Sequence, residues 1–205
     1  MKAFFDIDTQ IDFVFPAGAL YVPGAERILP TIAKLNRYAM DNGIPLISTA
    51  CAHAEDDPEF ADWPPHCILG TVGQQKPASL LVGQRIFEKQ TTDMFLSPHA
   101  EAELVADEFV VYGVVTEVCV RFAALGLLQR GKRVTVVEDA VMHLDLAASL
   151  AFFEEWKFRG GAGASACHFL GTDSLTVAAR DEVSSSQRSV TEPRPSGSRF
   201  PSDSD

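Results

Sequence analysis

The sequence predicts an α/β fold built on a mainly parallel sheet, and three observations carry that prediction. Short apolar runs rich in Val, Ile and Phe alternate with longer segments of helical period along most of the 205 residues. Apolar residues make up 46% and charged residues 22%, a globular balance. The length suits one domain of ordinary size with a tail. Seventeen Lys and Arg against twenty-eight Asp and Glu leave a net charge of −11, which argues against a nucleic-acid binder held by phosphate contacts. No apolar run approaches the roughly 20 residues that cross a bilayer. Two acids, Asp6 and Asp8, interrupt the start of the chain, so no secretory leader is expected and a cytoplasmic protein is.

Each element has its own signature. Phe4-Phe5-Asp6-Ile7 reads as the first strand. Ile28, Ile32, Leu35 and Ala39 follow helical spacing, and Asn42-Gly43 supplies the stop. Ile44–Thr49 reads as the second strand, with Pro45 at its first positions, where a missing N–H matters least. From Cys51 to about Leu81 runs a connection rich in Pro, Gly and acids, and so long a connection inside a compact domain is usually functional. Arg85–Glu88 reads as a third strand, and Ser97-Pro98 as the opening of a helix through Leu104. Phe109–Gly113 is the clearest buried strand, followed by a helix from about Cys119 to Gln129 that closes at Gly131. Val134–Val137 is the next strand, ending near Glu138, and Leu146–Phe158 the last long helix. The Gly-rich stretch 160–163 leads to a final strand near Ala166–Leu170. The domain is expected to span residues 1–181. Residues 182–205, rich in Ser and Pro, bury too little surface to offset chain entropy and are expected to be disordered.

Four cysteines, Cys51, Cys67, Cys119 and Cys167, are too few for a disulfide scaffold at this size. Cys119 follows the clearest buried strand and opens a helix. Backbone N–H groups and the helix dipole favour an anion there, and the same N–H groups suit the oxyanion of a tetrahedral intermediate. The residue reads equally as a small buried thiol. Asp8 falls just past the carboxyl end of the first strand, where ligand crevices of parallel sheets lie. Period-two alternation places Asp6 on the same side, and pattern does not separate the two acids. Lys89 follows the third strand at the same edge and reads as either a solvated lysine or the cation holding a carboxylate and a thiol in place.

Asp8-Thr9-Gln10-Ile11-Asp12-Phe13, Lys89 and Gly113-Val114-Val115-Thr116-Glu117-Val118-Cys119-Val120 resemble the isochorismatase-like cysteine hydrolases, most closely the nicotinamidase branch, over residues 3 to 160. The resemblance implies a three-layer α/β/α sandwich with a Rossmann-like central sheet. It implies a catalytic triad of Asp8, Lys89 and Cys119, and a cis peptide at Val115–Thr116 that aims the Thr116 and Cys119 amides at the oxyanion. The chemistry it implies is hydrolysis of a small carboxamide through a thioester, with nicotinamide to nicotinic acid plus ammonia as the leading expectation. Alternatives are a carbamoyl, acyclic-amide or isochorismate hydrolase of the same fold, or a non-catalytic binding protein. A homo-oligomer is expected, with neither nucleic acid nor membrane as partner.

The resemblance extends to a metal site in the long connection. His53 and His66 match histidine ligands of the branch, and Cys51 stands where its members carry Asp. Cys and His are good zinc ligands, and residues two apart in an extended segment face one way, so zinc is the expected ion. Glu59 is a candidate oxygen donor. The other reading of His53 and His66 is as hydrogen-bonding loop residues, with Cys51 inert. Phe13 and Trp63 match aromatic residues that sandwich a substrate ring in the branch, and Val118 occupies a pocket position where many members carry Tyr.

Overall fold

A computed structural model describes residues 1–171. The predicted boundary at 181 and the predicted tail 182–205 lie outside the described residues. Six strands form one sheet: β1 (Lys2–Ile7), β2 (Leu46–Cys51), β3 (Arg85–Lys89), β4 (Glu108–Val114), β5 (Arg133–Met142) and β6 (Ala162–Ala164). Their order is β3-β2-β1-β4-β5-β6, and every neighbouring pair is parallel. The helices are α1 (Ile11–Val14), α2 (Leu29–Asp41), α3 (Arg121–Gln129), α4 (Leu146–Phe158) and the single turn α5 (Cys167–Leu170).

Side chains alternate across β1 and β4 and feed two separate cores. Phe5, Ile7, Phe109 and Val111 pack with Ala123 and Leu127 of α3 and with Phe152 and Trp156 of α4. Phe4, Val110 and Tyr112 pack with Ile32, Leu35 and Ala39 of α2. Helices thus cover both faces of the sheet, the three-layer α/β/α arrangement. Central strands covered on both faces become continuous apolar runs, which is why β4 was legible without alternation.

The order of strands reverses between β1 and β4. In open parallel sheets this switch point opens a crevice at the carboxyl ends of the strands. Gly113 lies in β4 at that place with φ 121°, and a Cβ built on it would stand 2.1 Å from the Ile7 carbonyl oxygen of β1. Only glycine fits so close an approach at that dihedral.

Several boundaries differ from expectation. The second strand begins at Leu46 rather than Ile44, and Pro45 lends its carbonyl to the Phe4 amide, 2.8 Å away, from just outside. The helix expected from Ser97 to Leu104 is one 3₁₀ turn, Ala100–Glu103; with few apolar residues at helical spacing, so short a segment cannot sustain an α-helix. Strand β5 continues to Met142, past Glu138, after a register shift against β4 between Val111 and Gly113. The last strand is Ala162–Ala164, inside the Gly-rich stretch, and the expected strand 166–170 is the turn α5. Trp156 explains that shift. Its Nε1 donates to the Ala162 carbonyl at 3.0 Å, and a Cβ at Gly161 would fall 2.1 Å from its ring.

Candidate active site

Asp8 follows β1 with φ 48°, a left-handed conformation that Asp tolerates better than most residues. The kink breaks the alternation that made Asp6 and Asp8 equivalent. Asp6 stays on the α2 face, and Asp8 turns toward the crevice. Its Oδ1 accepts from the Thr49 hydroxyl at 2.6 Å, and its amide donates back to Thr49 Oγ1 at 3.1 Å. Its Oδ2 lies 2.8 Å from Lys89 Nζ. Lys89, the last residue of β3, also donates to the Thr91 carbonyl at 3.0 Å and reaches Cys119 Sγ at 3.8 Å. The Cys119 thiol and the Asp8 carboxylate thus meet the same Lys89 ammonium. The structure therefore brings Asp8, Lys89 and Cys119 together, all three buried.

Their charges follow from burial and mutual contact. Burial works to raise the Asp8 carboxyl, but the Lys89 ammonium and the Thr49 hydrogen bond outweigh it and hold the group below the usual carboxylate range. Burial likewise works to lower Lys89, and Asp8 more than compensates, so the ammonium is held well above its usual range. Burial pushes the Cys119 thiol well up, Lys89 offsets part of that, and the Asp8 charge adds to it. The resting group is a neutral thiol beside a carboxylate and an ammonium.

Cys119 sits in a single π turn, Thr116–Val120, and α3 begins only at Arg121. Such turns concentrate at functional sites. The Val115 carbonyl accepts both the Val118 and Val120 amides, at 3.1 and 3.0 Å. The cis peptide is Val114–Val115, one residue before the expected Val115–Thr116. It falls where β4 ends and the chain turns into the π turn, so Val115, not Thr116, stands directly after it. Thr116 is buried, and its hydroxyl has no partner.

A cleft of about 310 Å³, its open mouth included, faces this group. Phe13, Trp63, Val115, Val118 and Cys119 line it, as do Cys51 and His66. Leu20, Glu59, Thr92 and Leu144 complete the wall. Leu144 carried no signal in the sequence; the Glu117 carboxylate places it by accepting the Leu144 and Asp145 amides at 2.9 and 2.8 Å.

Beside the cleft, ligand atoms of Cys51, His53 and His66 lie within 4.8 Å of one another, and all three residues are buried. His53 Nδ1 faces the Asp57 carboxylate at 3.0 Å, and its Nε2 is buried without a partner. His66 Nδ1 donates to the Pro64 carbonyl at 2.7 Å. His66 thus spends Nδ1 on a neighbouring carbonyl, and His53 sets Nδ1 beside a carboxylate while neither of its ring nitrogens makes a hydrogen bond; a carboxylate or carbonyl at Nδ1 is the surrounding that orients metal-binding histidines. Burial also holds the His66 imidazole below its usual range, in the neutral form a ligand needs. The residues present fit a divalent ion.

Two residues of the first motif hold this region, and the sequence reading gave them no role. Gln10 clamps the Cys51 peptide from both sides, Nε2 donating to its carbonyl and Oε1 accepting its amide, each at 2.7 Å. Asp12 accepts the Cys67 amide, next to His66, at 2.7 Å. Polar residues two and four places after Asp8 were the available signal. For Thr49 the available signal was the hydroxyl pair Ser48-Thr49 in an otherwise apolar strand that is buried throughout.

Comparison with known proteins bears on the family and the fold. Residues 2–166 match the isochorismatase domain. The nicotinamidase of Escherichia coli (strain K12) is 25% identical over 181 residues, covering 67% of this chain and 81% of that protein. An isochorismatase family protein of Bacillus subtilis (strain 168) is 30% identical over 156 residues, covering 68% and 85%. The crystal structure of the pyrazinamidase of Pyrococcus horikoshii in complex with zinc superposes with a TM-score of 0.70 at 28% identity, covering 80% of this chain and 98% of that one. A domain match over most of the chain, on a sheet whose switch point gathers Asp8, Lys89 and Cys119, makes this protein a member of the isochorismatase family.

Proposed function

We propose that the protein is a cysteine amidohydrolase that cleaves a nicotinamide-like carboxamide to the carboxylic acid and ammonia. The observation that carries this reading is the meeting of Asp8 and Cys119 across Lys89 at the floor of an aromatic-walled cleft. Phe13 and Trp63 suit a flat ring, and Val118 leaves that wall aliphatic.

The chemistry follows from the charges. Asp8, ionised, takes the Cys119 proton as the sulfur attacks the carboxamide carbon. Backbone amides of the turn that carries Cys119 would hold the developing oxyanion. The nitrogen leaves as ammonia with the proton Asp8 holds. Asp8 then draws a proton from water as the water attacks the thioester, and passes that proton to the sulfur as the C–S bond breaks, freeing the acid and the thiol. Lys89 keeps the carboxylate beside the sulfur and offsets negative charge as it forms there. Cys51, His53 and His66 would hold a divalent ion, which when bound offers an electrophilic contact to a donor atom of substrate or to water.

Among the described residues no helix is long and apolar enough to cross a membrane. With the net charge of −11, this supports a cytoplasmic enzyme without nucleic-acid partners; a homo-oligomer is the assembly its family resemblance favours.

Ammonia release from nicotinamide by the wild type and by Cys119→Ala tests the reading. The wild type should turn over. The variant should fall below detection while its circular dichroism is unchanged. Turnover retained by the variant overturns the assignment.

A further inference from the structure

We propose that Cys51 is a thiolate ligand of the divalent ion, and that this sulfur makes the centre select zinc-like ions over manganese- and magnesium-like ions. The inference rests on the metal-centre reading above and not on the amide chemistry.

Cys51 ends β2 with its side chain at the crevice, and its orientation is fixed. Gln10 occupies both polar groups of its peptide, so the direction of the side chain is not free to drift. Its sulfur is buried and lies 3.3 Å from Lys89 Nζ, on the crevice side of the sheet. The second, independent observation is His53, wholly buried, whose Nε2 has no partner and which belongs to the same cluster of ligand atoms. Burying that nitrogen unpaired is costly unless something binds it.

The spacing suits a small ion. Tetrahedral zinc bonds of about 2.0–2.3 Å put ligand atoms roughly 3.3–3.8 Å apart. The three atoms here lie within 4.8 Å of one another, so modest side-chain movement closes the set. Cys51 and His66 line the cleft, which leaves the fourth position open to it. Three protein ligands and an open position are the pattern of a catalytic rather than a structural zinc site. Thiolate and imidazole donors favour zinc and cobalt(II), whereas carboxylate and water favour manganese and magnesium. On binding, Cys51 gives up its thiol proton to solvent and both histidines bind as neutral rings, so no oxidant or reductant is involved.

Cobalt(II) reports the sulfur directly. The full-length protein, stripped with a chelator under reducing conditions, is titrated with cobalt(II) and followed in the near-ultraviolet and visible. The expected result is a sulfur-to-cobalt charge-transfer band that saturates at one equivalent, disappears on adding zinc, and persists in Cys119→Ser. In Cys51→Asp the band should be lost although cobalt still binds. Competition read by metal analysis should then show the preference for zinc over manganese falling at least about tenfold. Four results overturn the proposal: no cobalt binding by the folded wild type, binding without the band, a band lost in Cys119→Ser, or an unchanged zinc preference in folded Cys51→Asp. The wild-type arm needs no variant to fold. Ammonia release measured on the same samples separates the two readings: a band without hydrolysis sinks the amidase, and hydrolysis by protein that binds no cobalt sinks the thiolate centre.

Discussion

Asp6 and Asp8 stand two residues apart, are both fully buried, and each faces a buried lysine, yet they are built for opposite ends. Around Asp6 every contact is closed. Thr9 Oγ1 donates to it at 2.7 Å, Ser48 Oγ at 2.9 Å, and Asn36 Nδ2 and Lys76 Nζ at 3.3 Å each. Lys76 is held in turn by Thr9 at 2.9 Å, and Asn36 by the Tyr112 hydroxyl at 2.7 Å. No partner of Asp6 has a reactive role, and the network ties β1, β2, β4, α2 and the long connection together. Asp8 has one hydroxyl and one ammonium, and that ammonium also reaches the Cys119 thiol, which faces the cleft. A saturated carboxylate organises a core; one that keeps an oxygen without a hydrogen bond and shares its cation with a nucleophile is placed to exchange a proton.

Substitutions on the two sides should break apart accordingly. Asp8→Asn should lower kcat by about 10²–10⁴-fold, the usual contribution of a general base, measured as ammonia release by protein whose folding is checked in parallel. Lys76→Met should instead destabilise the fold by about 3–5 kcal/mol, the cost of stranding one member of a buried pair, read by urea unfolding. The molecules still folded should keep their turnover number. Loss of kcat in Lys76→Met without loss of stability would erase the distinction. Thr49→Val, which removes the hydroxyl bond to Asp8, should cost about tenfold in kcat, equivalent to one charge-assisted hydrogen bond. Its neighbour Ser48→Ala, on the Asp6 side, should cost about 1 kcal/mol of stability and leave kcat alone.

The same pair marks how far the sequence could be read. Apolar runs located all the central strands because β1, β2 and β4 are covered on both faces. The long helix at Leu29–Asp41 was legible from its spacing and its Asn42-Gly43 stop, and the one at Leu146–Phe158 has the expected bounds. The roles of the two acids were not, because a left-handed kink at Asp8, invisible to a period-two pattern, sends it to the other environment. The position of the cis peptide was off by one residue, since no side chain near Val114 distinguishes one Val junction from the next. The partners of the candidate centres were hardest to foresee: Gln10 and Lys76 reach across 41 and 70 residues of chain to meet Cys51 and Asp6. Local pattern carries no information about such separations.

Gly113 gives the spacing of the reacting groups a mechanical origin. Asp8 and Cys119 belong to loops leaving adjacent strands, and the gauge between those strands is set here by bare backbone lying against the Ile7 carbonyl. Even one added methyl at that point would act as a wedge, widening the gap between base and sulfur while leaving each of them chemically intact.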